Sequence, residues 1–137
     1  MAGAAAWEKP LLLPTRGQGR IRMGRGTPMS NNISMIATES IEIEEKCLIG
    51  DLVTIMDSDF HRLDPAQRWQ GSDPSAPVRL GRNVWLGSRV VVLKGVSIGD
   101  NTVVAAGAVV SKSLPPNVVA VGVPARVMIR ELEEAAS

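Results

Sequence analysis

From Val78 to Ser111 the apolar positions recur at a strict interval of six: Leu80, Leu86, Val92, Ile98, Val104 and Val110 mark one phase. Val78, Val84, Val90, Val96, Thr102 and Ala108 stand two residues before them. A period of six fits no helix, whose repeat is 3.6. It fits short strands, because residues two apart on an extended chain face the same side and the residue between them faces away. Between the units lie Gly81-Arg82-Asn83, Gly87-Ser88-Arg89 and Gly99-Asp100-Asn101, residue types that tolerate the positive φ of tight corners. Short strands joined by tight corners predict a solenoid.

The same phase extends backwards. Ile21/Met23, Thr27/Met29 and Ile33/Met35 begin it, and Ile41/Ile43, Cys47/Ile49 and Val53/Ile55 continue it after two extra residues. A bulge near Ala37 and Thr38 is expected to absorb those two. The corners at Glu44-Glu45-Lys46 and at Leu52 lack the usual Gly or Asn, so strain is expected there. The three in-phase methionines read as core filler. Between Ile55 and Leu80 the period breaks, and residues 62–77 are expected to leave the solenoid as an extruded loop. An excursion from a rigid scaffold is where function concentrates, and this one follows His61, the single histidine.

The ends differ from the middle. Residues 1–20 carry Pro10, Pro14, Gly17 and Gly19 without a period and are expected to form a flexible arm or cap. Residues 21–125 make the solenoid domain. Residues 126–137 are expected to be a short helix, over 126–134, and a tail.

Three stretches stand out against the repeat: Asp57-Ser58-Asp59-Phe60-His61 with Leu63-Asp64-Pro65, the run Asn83 to Ser88, and Pro115-Pro116-Asn117 through Gly122-Val123-Pro124-Ala125-Arg126. Together they resemble the hexapeptide-repeat left-handed β-helix acyltransferases, in the branch of maltose and galactoside O-acetyltransferases and polysaccharide O-acetyltransferases. The resemblance covers residues 21–130. It implies an all-β fold, a left-handed parallel β-helix of about four coils, and transfer of acetyl from acetyl-CoA to a sugar or glycan hydroxyl. His61 matches the family's general base, with Asp57, Asp59 or neither orienting it. A backbone N–H near Ser88 matches the oxyanion donor. Asn31, or its neighbour Ser30 or Asn32, matches a position that contacts the acetyl group or acceptor, and Ala106, Ser111, Lys112 and Arg126 match those that hold coenzyme A; Trp85, outward between Val84 and Leu86, is expected to wall the cleft. The resemblance also implies a homotrimer, its sites shared between neighbouring subunits. Relatives carry a longer N-terminal part that shapes the acceptor pocket; here a basic arm precedes Ile21.

Composition narrows the alternatives. The chain of 137 residues is 45% hydrophobic but only 3% aromatic, which suits stacked aliphatic layers. A net charge of +1 demands neither nucleic acid nor an anionic membrane. No apolar run reaches the ~20 residues that span a bilayer, and Trp7-Glu8-Lys9-Pro10 interrupts any signal-peptide core, so a cytoplasmic location without membrane insertion is expected. The lone Cys47 forms no internal disulfide and occupies an inward position as filler. No metal is expected, since a hydratase on this fold needs three His ligands. An N-acetyltransferase or xenobiotic acetyltransferase, and a catalytically idle trimeric scaffold, remain rival readings.

Overall fold

The computed structural model describes residues 11–13, 18–30, 32–70, 73–130 and 132. Among these residues fourteen strands, numbered in chain order, form three sheets. Sheet A orders β1 (Leu11–Leu13), β2 (Arg20–Met23), β4 (Ser40–Ile43), β7 (Val78–Leu80) and β10 (Ser97–Ile98). Sheet B orders β5 (Leu48–Ile49), β8 (Trp85–Leu86), β11 (Val103–Val104), β13 (Val118–Val121) and β14 (Arg126–Arg130). Sheet C orders β3 (Ser34–Ile36), β6 (Thr54–Met56), β9 (Val91–Val92) and β12 (Val109–Val110). Pairing is parallel throughout, except at β1–β2 and β13–β14. From β4 to β12 the chain visits A, B and C in turn and each circuit adds one strand to every sheet; the first circuit meets sheet B only as the bridge of Met29 to Ile49, and the last meets sheet A only as the bridge of Leu114 to Ile98.

The inward residues stack in columns. Met23, Ile43, Leu80 and Ile98 lie in register along sheet A, all with no exposed surface. Each such burial stabilises by roughly 1.5–3 kcal/mol relative to exposure. Ile49, Leu86, Val104 and Ala120 do the same in sheet B, and Ile55, Val92 and Val110 in sheet C.

The corners repeat as faithfully. At the A–B corner Gly26, Lys46, Asn83, Asn101 and Asn117 all have left-handed φ, between 56° and 67°. At the B–C corner Asn32, Leu52, Arg89 and Gly107 do, between 60° and 77°. Lys46 and Leu52 are thus held in the conformation their sequence suits least. Asn83 Nδ2 donates to Asn101 Oδ1 at 3.0 Å, and Asn101 Nδ2 to Asn117 Oδ1 at 2.8 Å, forming an amide ladder. The two extra residues lie in the corner at Ala37 to Glu39, between β3 and β4.

One expectation is corrected. The segment from Arg126 to Arg130 is a strand and not a helix: β14 runs antiparallel to β13, and no helix occurs among the described residues. Val127 and Ile129 alternate with Arg126, Met128 and Arg130, a period of two, and a helix that short would not have sustained itself. Within the segment expected to be a flexible arm or cap, β1 pairs Leu11 with Met23 and Leu13 with Ile21. It covers the otherwise open edge of β2. Residues 1–10, 14–17, 131 and 133–137 lie outside the described residues.

Candidate active site

The excursion leaves after β6 and returns at β7, so it springs from the C–A corner. An antiparallel bridge between Ser58 and Ser75 closes its root, and Asp59 N–H donates to Pro74 O at 2.9 Å. Asp57 is fully buried there. Its Oδ1 accepts from Thr38 N–H (2.8 Å) and Thr38 Oγ1–H (3.1 Å), and its Oδ2 from Glu39 N–H at 2.7 Å. The carboxylate therefore staples the corner at 37–39 to the start of the excursion. Asp59 Oδ2 lies 3.4 Å from Lys94 Nζ, one coil further on at the same corner.

Neither acid orients His61. Its Nδ1 lies 3.0 Å from the carbonyl oxygen of Arg68. A carbonyl only accepts, so Nδ1 carries the proton and Nε2 of the neutral ring keeps its lone pair. The partner is a backbone atom, which no residue pattern advertises. The loop that presents it is internally braced. Ala66 N–H donates to Asp64 Oδ1 at 3.0 Å, Gln67 N–H to Asp64 O at 3.0 Å, and Arg68 NH2 to Leu63 O at 3.0 Å. Trp69 meets the imidazole edge-on, with ring centroids 5.4 Å apart and planes at 62°. Sequence reasoning did not single out Trp69 or Arg68.

Ser88 occupies a different corner, B–C. Its carbonyl accepts from Gly107 N–H at 2.9 Å, and Arg89 N–H reaches Asp51 O at 2.9 Å. Ser88 N–H itself donates to nothing among the described residues. A Cβ on Gly50, in the coil below, would lie 2.8 Å from that nitrogen, so the bare glycine leaves it room. The pattern recurs one coil up. Ala106 N–H is also without an acceptor among the described residues, and a Cβ on Gly87 would lie 2.7 Å from it. Two donors are thus stacked along one edge, roughly 4.8 Å apart at the strand spacing. Arg126, exposed, begins β14 just above the same corner, paired with Val121.

Ser111 and Lys112, both exposed, stand at the C–A corner, the one from which the excursion springs. Six residues separate Ala106 from Lys112, which is roughly 20 Å of extended chain. Ser88 and the four residues expected to hold coenzyme A therefore divide between two corners flanking sheet C. Trp85 is 51% exposed on the outer face of sheet B, in register with Leu48, Val103 and Val119. Asn31 lies outside the described residues; its neighbours Ser30 and Asn32 begin the B–C edge, where Ser30 N–H donates to Ile49 O at 3.2 Å. Among the described residues no three His, Cys, Asp or Glu side chains converge as a metal site, and no helix is long and apolar enough to cross a membrane.

Comparison with known proteins bears on this geometry. Residues 77–112 match the family model described as bacterial transferase hexapeptide (six repeats). The galactoside O-acetyltransferase of Escherichia coli is 39% identical over 132 residues, which cover 96% of this chain and 64% of that protein. A hexapeptide-repeat acetyltransferase of Vibrio cholerae, solved with acetyl coenzyme A, superposes with a TM-score of 0.78 at 34% identity over 83% of this chain and 61% of that one. A galactoside acetyltransferase in complex with coenzyme A gives 0.70 at 41% identity, over 75% of this chain and 50% of that one. The chain spans less than two thirds of the length of each of these three.

Proposed function

This chain belongs to the hexapeptide-repeat transferase family, and on that premise we propose that it is an acetyl-CoA-dependent O-acetyltransferase of a sugar or glycan hydroxyl. Its three sheets would wind left-handed, as in the family. The observation that carries the catalytic reading is the bond from His61 Nδ1 to the Arg68 carbonyl, which fixes the tautomer a general base needs. His61 Nε2 takes the proton of the acceptor hydroxyl as its oxygen attacks the thioester carbonyl. Ser88 N–H receives the developing oxyanion, and the imidazolium returns the proton to the departing thiolate.

The split between corners supports a site shared by two subunits. In a threefold assembly with sheet C toward the axis, the B–C edge of one subunit would meet the C–A edge of its neighbour. His61, Ser111 and Lys112 would then face Ser88, Ala106 and Arg126 across one groove. The stacked donors at Ser88 and Ala106 run along that groove, suited to the amide-bearing arm of coenzyme A. Lys112 and Arg126 supply charge for its phosphates. Asn31 and Trp85 belong to the acceptor side.

Thiol release from acetyl-CoA, measured with galactosides and maltosides as acceptors, tests the reading. His61→Ala is expected to lower kcat by roughly 10²–10⁴-fold with little change in the KM for acetyl-CoA. Wild-type turnover in that variant would remove His61 as the base.

A further inference from the structure

Trp69 is the most conspicuous side chain without a role so far. It is 86% exposed, and the indole is the largest apolar group a chain can leave in water. It is not on a loose tip: the bonds from Ala66, Gln67 and Arg68 brace the turn before it, and Gln70 N–H donates to Gln67 O at 3.0 Å. One edge of the pair is taken by His61, at 5.4 Å between centroids. The indole thus stands within one ring's width of the proposed base, braced in advance of any ligand, with most of its surface open.

An aromatic plane beside a proton acceptor suits a molecule with one apolar face and hydroxyls round its rim. A pyranoside is such a molecule: its axial C–H bonds make a patch that stacks on a ring, while its equatorial edge presents hydroxyls. Glycerol has the hydroxyls but lacks the patch. The adenine of coenzyme A could also stack, but the basic groups proposed for its phosphates, Lys112 and Arg126, lie on other elements.

We propose that Trp69 is the acceptor platform, stacking the C–H face of a pyranoside so that one of its hydroxyls is held at His61 Nε2. The proposal rests on the reading of His61 as base. It makes Trp69 a specificity-determining residue carried by the excursion.

The test compares Trp69→Ala and Trp69→Phe with the wild-type protein, using methyl β-D-galactopyranoside and glycerol as acceptors. Trp69→Ala should raise the KM for the galactoside about ten-fold, as expected when one stacking interaction is removed. The kcat, the KM for acetyl-CoA and the KM for glycerol should change by less than about two-fold, and Trp69→Phe should restore most of the loss. Saturation-transfer NMR on the wild type should mark the pyranose ring protons, and Trp69→Ala should erase that signal. An unchanged galactoside KM, a raised acetyl-CoA KM, a fall in kcat with a displaced pH profile, or no saturation transfer in the wild type would each overturn the proposal. Dissociation of the assembly by Trp69→Ala would overturn it too, assigning the indole to a subunit interface. Failure of the base reading shows separately, as thiol release that survives His61→Ala.

Discussion

Leu52 has φ of 60° and 43% of its surface in water. A γ-branched residue gains nothing from that conformation, which costs an L-residue roughly 1–2 kcal/mol relative to right-handed backbone. Leu52→Asn is therefore expected to raise stability by about 1 kcal/mol, read as a higher urea midpoint at unchanged slope. Lys46, at φ 59°, occupies the rung below Asn83 on the A–B corner. Lys46→Asn should stabilise similarly and extend the amide ladder by one rung. Cys47 belongs to the core: it is fully buried and its Sγ–H points to Gly81 O at 3.1 Å. Burial, above all, pushes its pKa up from 9.0 to about 11. The unfolded thiol ionises first on raising pH, so above pH 9 the unfolded state holds fewer protons than the folded one. Stability present below about pH 9 is then lost progressively up to about pH 11, and Cys47→Ala should flatten that part of a stability–pH curve. These residues were legible because each has a side chain whose size or branching conflicts with, or fits, a repeated position. The tautomer of His61 was not, because a backbone carbonyl in Arg68 sets it.

At the scale of the element, the excursion depends on its anchor. Asp57 accepts three hydrogen bonds at a site without water access. Asp57→Ala would strand two backbone N–H groups, and each stranded donor costs roughly 1–3 kcal/mol. The expected result is a loss of about 2–4 kcal/mol of stability in denaturant titration. The pH–rate profile of the folded fraction should keep its midpoint, because Asp57 does not touch the imidazole. A displaced midpoint would mean that the acid acts on the base after all. The inward columns of the strands were readable from spacing alone, since apolar residues two apart have one meaning on an extended chain. The edges were not. Three leucines in β1 are too few to show a period, and the mixed pattern of residues 126–130 suits a helix until antiparallel pairing with β13 decides for a strand. The division of the candidate site also escaped a linear reading. Ser88 and Lys112 hold equivalent positions along the repeat, but they stand where the chain turns from sheet B to C and from C to A respectively.

For the whole molecule, that division leads to a test that a lone subunit could not pass. The outer face of sheet A is charged, with Arg22, Glu42 and Arg79 in register. Sheet C presents Thr54, Val91 and Val109 in register, and Ile36 beside Met56. Only sheet C also lies between the His61 corner and the Ser88 corner. If it faces the threefold axis, Val91→Arg should leave the strand content unchanged by circular dichroism, while sedimentation gives a monomer and turnover disappears. A stronger outcome follows from crossing two dead variants. His61→Ala removes the proposed base from one edge. Ser88→Pro removes the N–H from the other without breaking an existing hydrogen bond. Each alone should be inactive. Co-expressed in equal amounts and assembled at random, they should regain activity at about a quarter of the sites, where a chain with His61 adjoins a chain with the Ser88 donor. Were both groups drawn from one chain, every site in the mixture would lack one of them, and activity would stay at background. Recovery thus distinguishes a groove between subunits from a cleft within one, whichever acceptor is used in the assay.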